Sequence, residues 1–440
     1  MMGLTWRRIW PHSPQERGVF WSLASDFANS VFGYLAMTYS PVVILFLSEL
    51  GLSKTQIGSI GSLLPFSGLL ALFMAPVVAR WGLKRTYLTC WGIRKGVTLL
   101  LVCTPWVLAR GGVNTAFAGV AGVIFVFAIC RAIGETAYNP WSVDFVPSAI
   151  RGKYGALVQV ISTLGNLCAV GVAAFVMGRV AGLDKYVILI VVGVVFGVIS
   201  VWWASNIPRE TSAGVAGGSR AHFRTMLGGL RNADFLRYLA GYGLTLLAAA
   251  VTTFLPLFLK EKVGLSASAV VTLQTGTLLG TLISGFLWGW LADRYGSRPV
   301  IFISLILRAL TPLCWLFMPR HSAASLLVGE AIAFLDGASR IGFVVGAGRL
   351  LYVRIVPPAQ KTSYLALYYS WIGLTGGIAP LAGGRILDAL AGVGGRWGVL
   401  ILDAYTYLFL AGAALFSLSL FLFSRVQSDR GSARREGGAT

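Results

Sequence analysis

The chain has 440 residues, of which 56% are hydrophobic and only 12% charged, with a formal net charge of +20. Soluble domains carry about twice that charged fraction, which excludes a soluble enzyme, a secreted disulfide scaffold and a DNA-binding domain. The apolar residues come in runs of about 20 bounded by Arg, Lys, Gly and Pro, the length a helix needs to cross a bilayer.

Twelve membrane-spanning helices are predicted, at roughly 20–48, 57–78, 86–108, 115–138, 155–180, 186–204, 238–259, 268–290, 300–318, 325–347, 363–387 and 397–423. The N-terminus does not read as a cleavable signal, because Arg7, Arg8 and Arg17 precede an apolar run far longer than a signal peptide's. With that end inside, 22 of the 36 Lys and Arg residues fall in cytoplasmic segments, nine fall outside and five lie within spans. The flipped topology reverses the ratio, so both termini are predicted to be cytoplasmic, in the plasma or inner membrane of the cell. Cys90, Cys103, Cys130, Cys168 and Cys314 all sit in apolar runs without metal-ligand spacing, and read as small buried hydrophobes with no disulfide.

The domain organisation expected is a six-helix bundle over 1–204, a cytoplasmic linker over 205–237, a second bundle over 238–423 and a cytoplasmic tail over 424–440. The Gly214–Gly218 stretch of the linker reads as flexible. Phe223, Met226, Leu227 and Leu230 follow helical spacing beside Arg220, Arg224 and Arg231. That pattern fits a short helix on the inner membrane surface or a solvated linker equally well.

The two halves repeat. Gly289-Trp-Leu-Ala-Asp293-Arg294-Tyr-Gly296-Ser-Arg298 follows span 8, and Ala75-Pro-Val-Val-Ala79-Arg80-Trp-Gly82-Leu-Lys84-Arg85 follows span 2 about 214 residues earlier. Arg94 maps onto Arg308 at the same offset, Gly51-Leu-Ser53 onto Gly264-Leu-Ser266, and Pro147, Arg151 and Tyr154 onto Pro357, Lys361 and Tyr364 near an offset of about 210. A duplication of six spans accounts for all of these.

On these residues the sequence resembles the major facilitator superfamily of secondary transporters. The 289–298 segment matches that family's loop signature, Asp144-x-x-Pro147-x-x-x-Arg151-Gly152 resembles its loop after helix 4, and Gly376–Gly384 its eleventh helix. The resemblance implies an all-α membrane protein with two pseudo-symmetric six-helix halves. In the signature, Gly289 and Gly296 would let backbones turn or approach closely. Asp293 would pair with a base or cap a helix to lock one conformation, with Arg294 and Arg298 beside it. In the first half Ala79 stands in place of that Asp, so Arg80, Gly82 and Arg85 form a weaker lock or a loop needed only for topology.

Ionisable groups within a bilayer are costly and default to functional candidates. Asp26 lies ~9 Å into span 1, and Arg131 ~24 Å below the outer end of span 4, at a similar depth. Glu135 is one turn further along the face of Arg131. The resemblance places helices 1, 4, 7 and 10 around a cavity, where Arg131 facing Asp26 makes a plausible proton switch. Arg131-x-x-Gly134-Glu135-x-x-Tyr138 is similar to helix 4 of the spinster-type lipid transporters. Asp336 and Arg340 on span 10 are a second pair, with Arg340 near the repeat position of Arg131. Arg94, Lys95, Arg308 and Asp403 fall on helices that the family places peripherally, where snorkelling or interhelical bracing is expected. Asn29, Tyr34, Gln159, Asn166, Gln274, Tyr368, Tyr369 and Trp371 are the neutral candidates for a cavity taking a mixed apolar-polar ligand.

No phosphate-binding G-x-x-x-x-G-K-[ST] loop occurs, so the expected energy source is a proton or other ion gradient rather than ATP, without cofactor or metal. Span 5 reads Gly165-Asn-Leu-Cys-Ala-Val-Gly171 without Pro, which departs from the drug/proton antiporters of the superfamily. The expected function is proton-coupled, alternating-access transport of a small organic, amphipathic molecule, with export slightly favoured and a monomeric protein whose partners are substrate and lipid, not nucleic acid. Uptake of a polar metabolite, lipid or lysolipid transport, and a non-transporting receptor or assembly factor are the alternatives.

Overall fold

The computed structural model describes residues 14–70, 74, 78, 80–147, 150–208, 232–357, 360–397 and 400–427. The first half comprises α1 (Pro14–Ala36), α2 (Pro41–Glu49), α3 (Lys54–Ser67), α4 (Leu83–Leu99), α5 (Thr104–Phe145), α6 (Arg151–Arg179) and α7 (Asp184–Ser205). The second comprises α8 (Ala233–Ala248), α9 (Ala250–Glu261), α10 (Ala267–Thr272), α11 (Gln274–Tyr295), α12 (Ser297–Leu316), α13 (Ser325–Leu350) and α14 (Lys361–Ala389). A hairpin of β1 (Gly395–Trp397) and β2 (Leu400–Leu402) then leads into α15 (Ala404–Ser424). The expected surface helix around Phe223–Leu230 lies outside the described residues.

Ten stretches among the described residues are helical, long and apolar enough to cross a membrane. The longest, Leu83–Phe145, has 63 residues, which at ~1.5 Å each is about three times the thickness of a bilayer's hydrocarbon. It doubles back at Gly112, whose φ of 74° suits a residue without Cβ. As a result Trp91 of α4 packs on Gly134 of α5, and the Tyr87 and Tyr138 rings meet at 5.1 Å.

Three expectations need correction. Span 1 is not continuous: α1 ends at Ala36, and α2 restarts with Ser40 as N-cap, accepting from the Val43 amide, and Pro41 in the first turn. That Ser-Pro pair is a helix-start signal embedded in an apolar run. Span 12 begins at Ala404 rather than 397, because Asp403 caps it by accepting from the Thr406 amide at 2.9 Å and takes Arg320 at 3.0 Å. The preceding residues pair instead as an antiparallel hairpin with Gly395 opposite Leu402, a small exception to an all-helical chain. The cysteines are free but not uniformly buried: Cys103 and Cys168 are exposed on the bundle surface.

The repeat is visible in the backbone. Ser53 and Ser266 cap α3 and α10, after Gly51 and Gly264 with φ of 83° and 82°. Lys84 donates to the Ser205 carbonyl at 2.7 Å and Arg298 to the Ser424 carbonyl at 2.9 Å, so the same loop position ties down the end of the last helix in each half.

The halves meet through α3 on α14, α2 on α9, and α6 on α10 and α11. A Cβ at Gly58 of α3 would stand 2.2 Å from the Pro380 carbonyl oxygen of α14, so these helices touch backbone to backbone. Hydrogen bonds joining the halves gather at the end away from the basic loops. Lys260 reaches Glu49 at 2.5 Å, and Lys54 pairs with Glu261. Tyr34 donates to the Val271 carbonyl at 3.1 Å, and Ser268 to the Ala174 carbonyl at 2.9 Å.

Candidate central cavity

A cavity of about 850 Å³ lies between the halves. Its wall runs from Leu259 and Pro380 near the joined end to Asn139 and Ala366 towards the other. Four charged residues line it. On α5, Arg131 Nε donates to Glu135 Oε1 at 2.7 Å, and Tyr39 shares the wall with them. On α13, Arg340 donates to Asp336 Oδ2 at 2.8 Å. Both are i, i+4 pairs, with the order of charges reversed between the halves. Tyr39, Thr38, Thr252, Thr253, Gln274 and Tyr369 add polar groups between the apolar stretches.

The sequence brought Arg131, Glu135, Asp336, Arg340, Gln274 and Tyr369 to this wall; the other candidates sit elsewhere. Asp26 is not on the wall and makes no bond to Arg131. Its Oδ2 is buried without a hydrogen-bond partner, within electrostatic reach of Tyr87, Tyr138 and Tyr154. The last two hydroxyls bond Ser22 at 3.0 and 2.6 Å.

Asn29 faces the interior of the first half, where its Oδ1 accepts from Arg94 at 2.9 Å and Lys95 at 2.8 Å. Those two cations are 2% and 1% exposed, so they brace helices and do not snorkel. Tyr34 belongs to the joined end. Tyr368 is buried among Tyr238, Tyr242 and Tyr369, and Trp371 donates to the Leu239 carbonyl at 2.7 Å. Gln159 approaches Thr163 on its own helix at 3.5 Å; Asn166 is half-buried off the wall.

In the loop signature, Asp293 pairs with Arg349, tying α11 to α13 inside the second half rather than across the halves. Gly82 and Gly296 take φ of 86° and 82° at the starts of α4 and α12. Gly289 allows no special approach, since a Cβ there meets nothing within 4 Å. Arg294 lies over the Trp290 and Tyr295 rings, while Arg80 and Arg85 are exposed.

Thr38, Tyr39, Thr252 and Thr253 were not among the sequence candidates. They lie where α1 gives way to α2 and α8 to α9, and Thr38 and Thr252 are 214 residues apart, the repeat offset. The Ser40-Pro41 start signal combined with that offset was the available clue. Interrupted helices of this kind free backbone groups beside a cavity.

The sequence matches the profile of the Major Facilitator Superfamily over residues 26–274 and 239–439. The chain belongs to that superfamily. Membership makes it a multi-pass membrane transporter rather than an enzyme. A superfamily relative from Cupriavidus pinatubonensis, a probable 4-methylmuconolactone transporter, is 22% identical over 413 residues, covering 90% of this chain and 89% of its own.

Among solved structures, a mutant of the nucleoside transporter NupG superposes with a TM-score of 0.72 at 13% identity, over 94% of this chain and 100% of that one. A D-xylose-proton symporter gives 0.67 at 14%, over 94% and 99%. A bacterial homologue of the human lysosomal transporter Spinster, inward-facing and occupied, gives 0.67 at 14%, over 95% and 98%. At these identities the structures establish the shared fold.

Proposed function

We propose that the protein is a proton-coupled secondary transporter that carries a small organic molecule across the cell membrane by alternating access, as a monomer with twelve spans and both termini in the cytoplasm. The observation that carries this reading is the cavity of about 850 Å³ between two halves joined at one end, with ionisable side chains supplied by both. Rocking of the halves about such a site exposes it to each side in turn. With the basic loops inside, the joined end is the outer one, and this structure represents the inward-facing state. The relative's name supports a compact ring compound as cargo. The coupling proton is assigned to Asp26, a carboxylate buried inside the first half with no ion-pair partner among the described residues, with Arg131 and Glu135 forming the nearby cavity wall.

The test is reconstitution in liposomes holding a pH-sensitive dye, with a panel of small organic acids, lactones and lysolipids. The expected result is that at least one compound moves protons with it through the wild-type protein. Proton and compound moving together marks symport, and opposed fluxes mark the export-type antiport. Compound movement with no proton movement overturns the coupling. No movement, in liposomes where a known superfamily transporter scores, overturns transport.

A further inference from the structure

We infer that the cavity takes a small organic anion, gripped at its charged end by Arg340. The inference rests on the transporter reading and adds the charge of the substrate to it.

The four wall charges cancel, but those buried behind them do not. Arg94 and Lys95 on α4 and Arg308 on α12 are 2%, 1% and 7% exposed. Among the described residues no carboxylate bonds any of the three. Arg94 and Lys95 share the Asn29 amide oxygen, with Arg94 3.8 Å from the Trp91 ring centroid and Lys95 3.4 Å from that of Phe32. Arg308 lies 4.6 Å from the Phe416 centroid, and its Nε has no partner. An amide oxygen and ring faces satisfy donors without cancelling charge.

Asp26 offsets one of the three, and Glu330, a half-buried carboxylate that lies against Gly276 beside the wall without an ion pair among the described residues, offsets another, leaving an excess of one positive charge around the cavity. In a low-dielectric bundle that excess is weakly screened and acts on the nearest polar space, the cavity. Arg94 interacts electrostatically with Arg131 and Glu135, and Arg308 with Asp336 and Arg340, so the excess reaches the wall from both halves.

The wall then decides where the anion sits. On α13 the arginine is presented and its partner withdrawn: the Arg340 side chain is 46% exposed and that of Asp336 13%. On α5 the exposures are reversed, 28% for Arg131 and 49% for Glu135. Arg340 is held through one NH2 group, which leaves most of its planar donor fork for a carboxylate.

The experiment compares probes of similar size and different charge: benzoate, benzamide and benzylamine, and 4-methylmuconolactone with its methyl ester. Binding is read as thermal stabilisation of the purified protein, and transport as counterflow in liposomes. The expected result is that each carboxylate binds at least ten-fold more tightly than its neutral or cationic counterpart. Arg340→Gln is expected to remove that preference, and Arg340→Lys to retain part of it. A neutral or cationic probe that binds or moves as well as the anion overturns the inference while leaving transport standing. Anion-selective stabilisation without counterflow upholds the inference and overturns the transport reading instead. No selective response in either assay overturns the anion. The wild-type comparison needs no variant to fold.

Discussion

Asp388, near the end of α14 in the second half, accepts from the Lys54 and Thr55 amides of α3 in the first, at 3.1 and 2.7 Å. A carboxylate thus sits on the first turn of a helix it does not belong to, where free N–H groups and the helix dipole both favour negative charge. The contact exists only while these ends of the two halves are together, so it stabilises this state over one open at that end. Asp388→Asn removes the charge and one of the two acceptors, a loss of ~1 kcal/mol. The alkylation rate of a single cysteine at Thr252, in a background without the native cysteines and with an impermeant reagent added outside, should rise about five-fold. An unchanged rate would mean that Asp388 does not hold the closure.

Two ion pairs of opposite polarity flank that cap: Lys54 of the first half with Glu261 of the second, and Lys260 of the second with Glu49 of the first. Their side chains are between 21% and 33% exposed, so each contributes ~0.5–1 kcal/mol and is sensitive to salt. Lys54→Glu should speed alkylation of the same reporter, and adding Glu261→Lys should bring it back towards wild type. Failure of the reversed pair to restore closure, with both singles open, would show that position rather than charge matters there.

The sequence made the helical membrane fold, the repeat and both wall pairs legible, because each rests on periodicity, charge position or i, i+4 spacing. It misplaced Asp26 and Asn29 for one reason. Counting residues along a span fixes depth at ~1.5 Å per residue but leaves the direction round the helix open, and neighbours differ by about 100°. Asp26 and Arg131 share a depth, yet the first faces the tyrosines inside its half and the second faces the cavity. Tyr39 was hidden differently, since its place on the wall depends on the break before α2, which an apolar window averages away.

Asn29 supplies one oxygen to two buried cations, an arrangement with little tolerance for loss. Asn29→Leu strands both donors in an apolar setting and should cost ~3 kcal/mol or more. Thermal unfolding in detergent should show a midpoint lower by several degrees. Lys95→Met, which removes one of two adjacent like charges, should be close to neutral alone and should recover part of the loss when combined with Asn29→Leu. Equal destabilisation by both single changes would indicate that the Lys95 bond to Asn29 outweighs the repulsion between the two cations.

If the protein is proton-coupled as proposed, the separation of Asp26 from the cavity divides coupling from binding. Asp26 has a buried, partnerless oxygen and does not line the wall, whereas Arg131 lines it and is engaged with Glu135. Asp26→Asn keeps the shape and removes the titratable proton, so compound exchange under equal concentrations should persist within about two-fold while uphill accumulation driven by a pH gradient is lost. Arg131→Ala changes the wall and strands Glu135, so it should weaken compound binding at least ten-fold as well as abolish accumulation. Accumulation retained in Asp26→Asn would remove this residue from the proton path. Loss of exchange in that variant would instead place Asp26 in the substrate site during the part of the cycle in which the outer end is open.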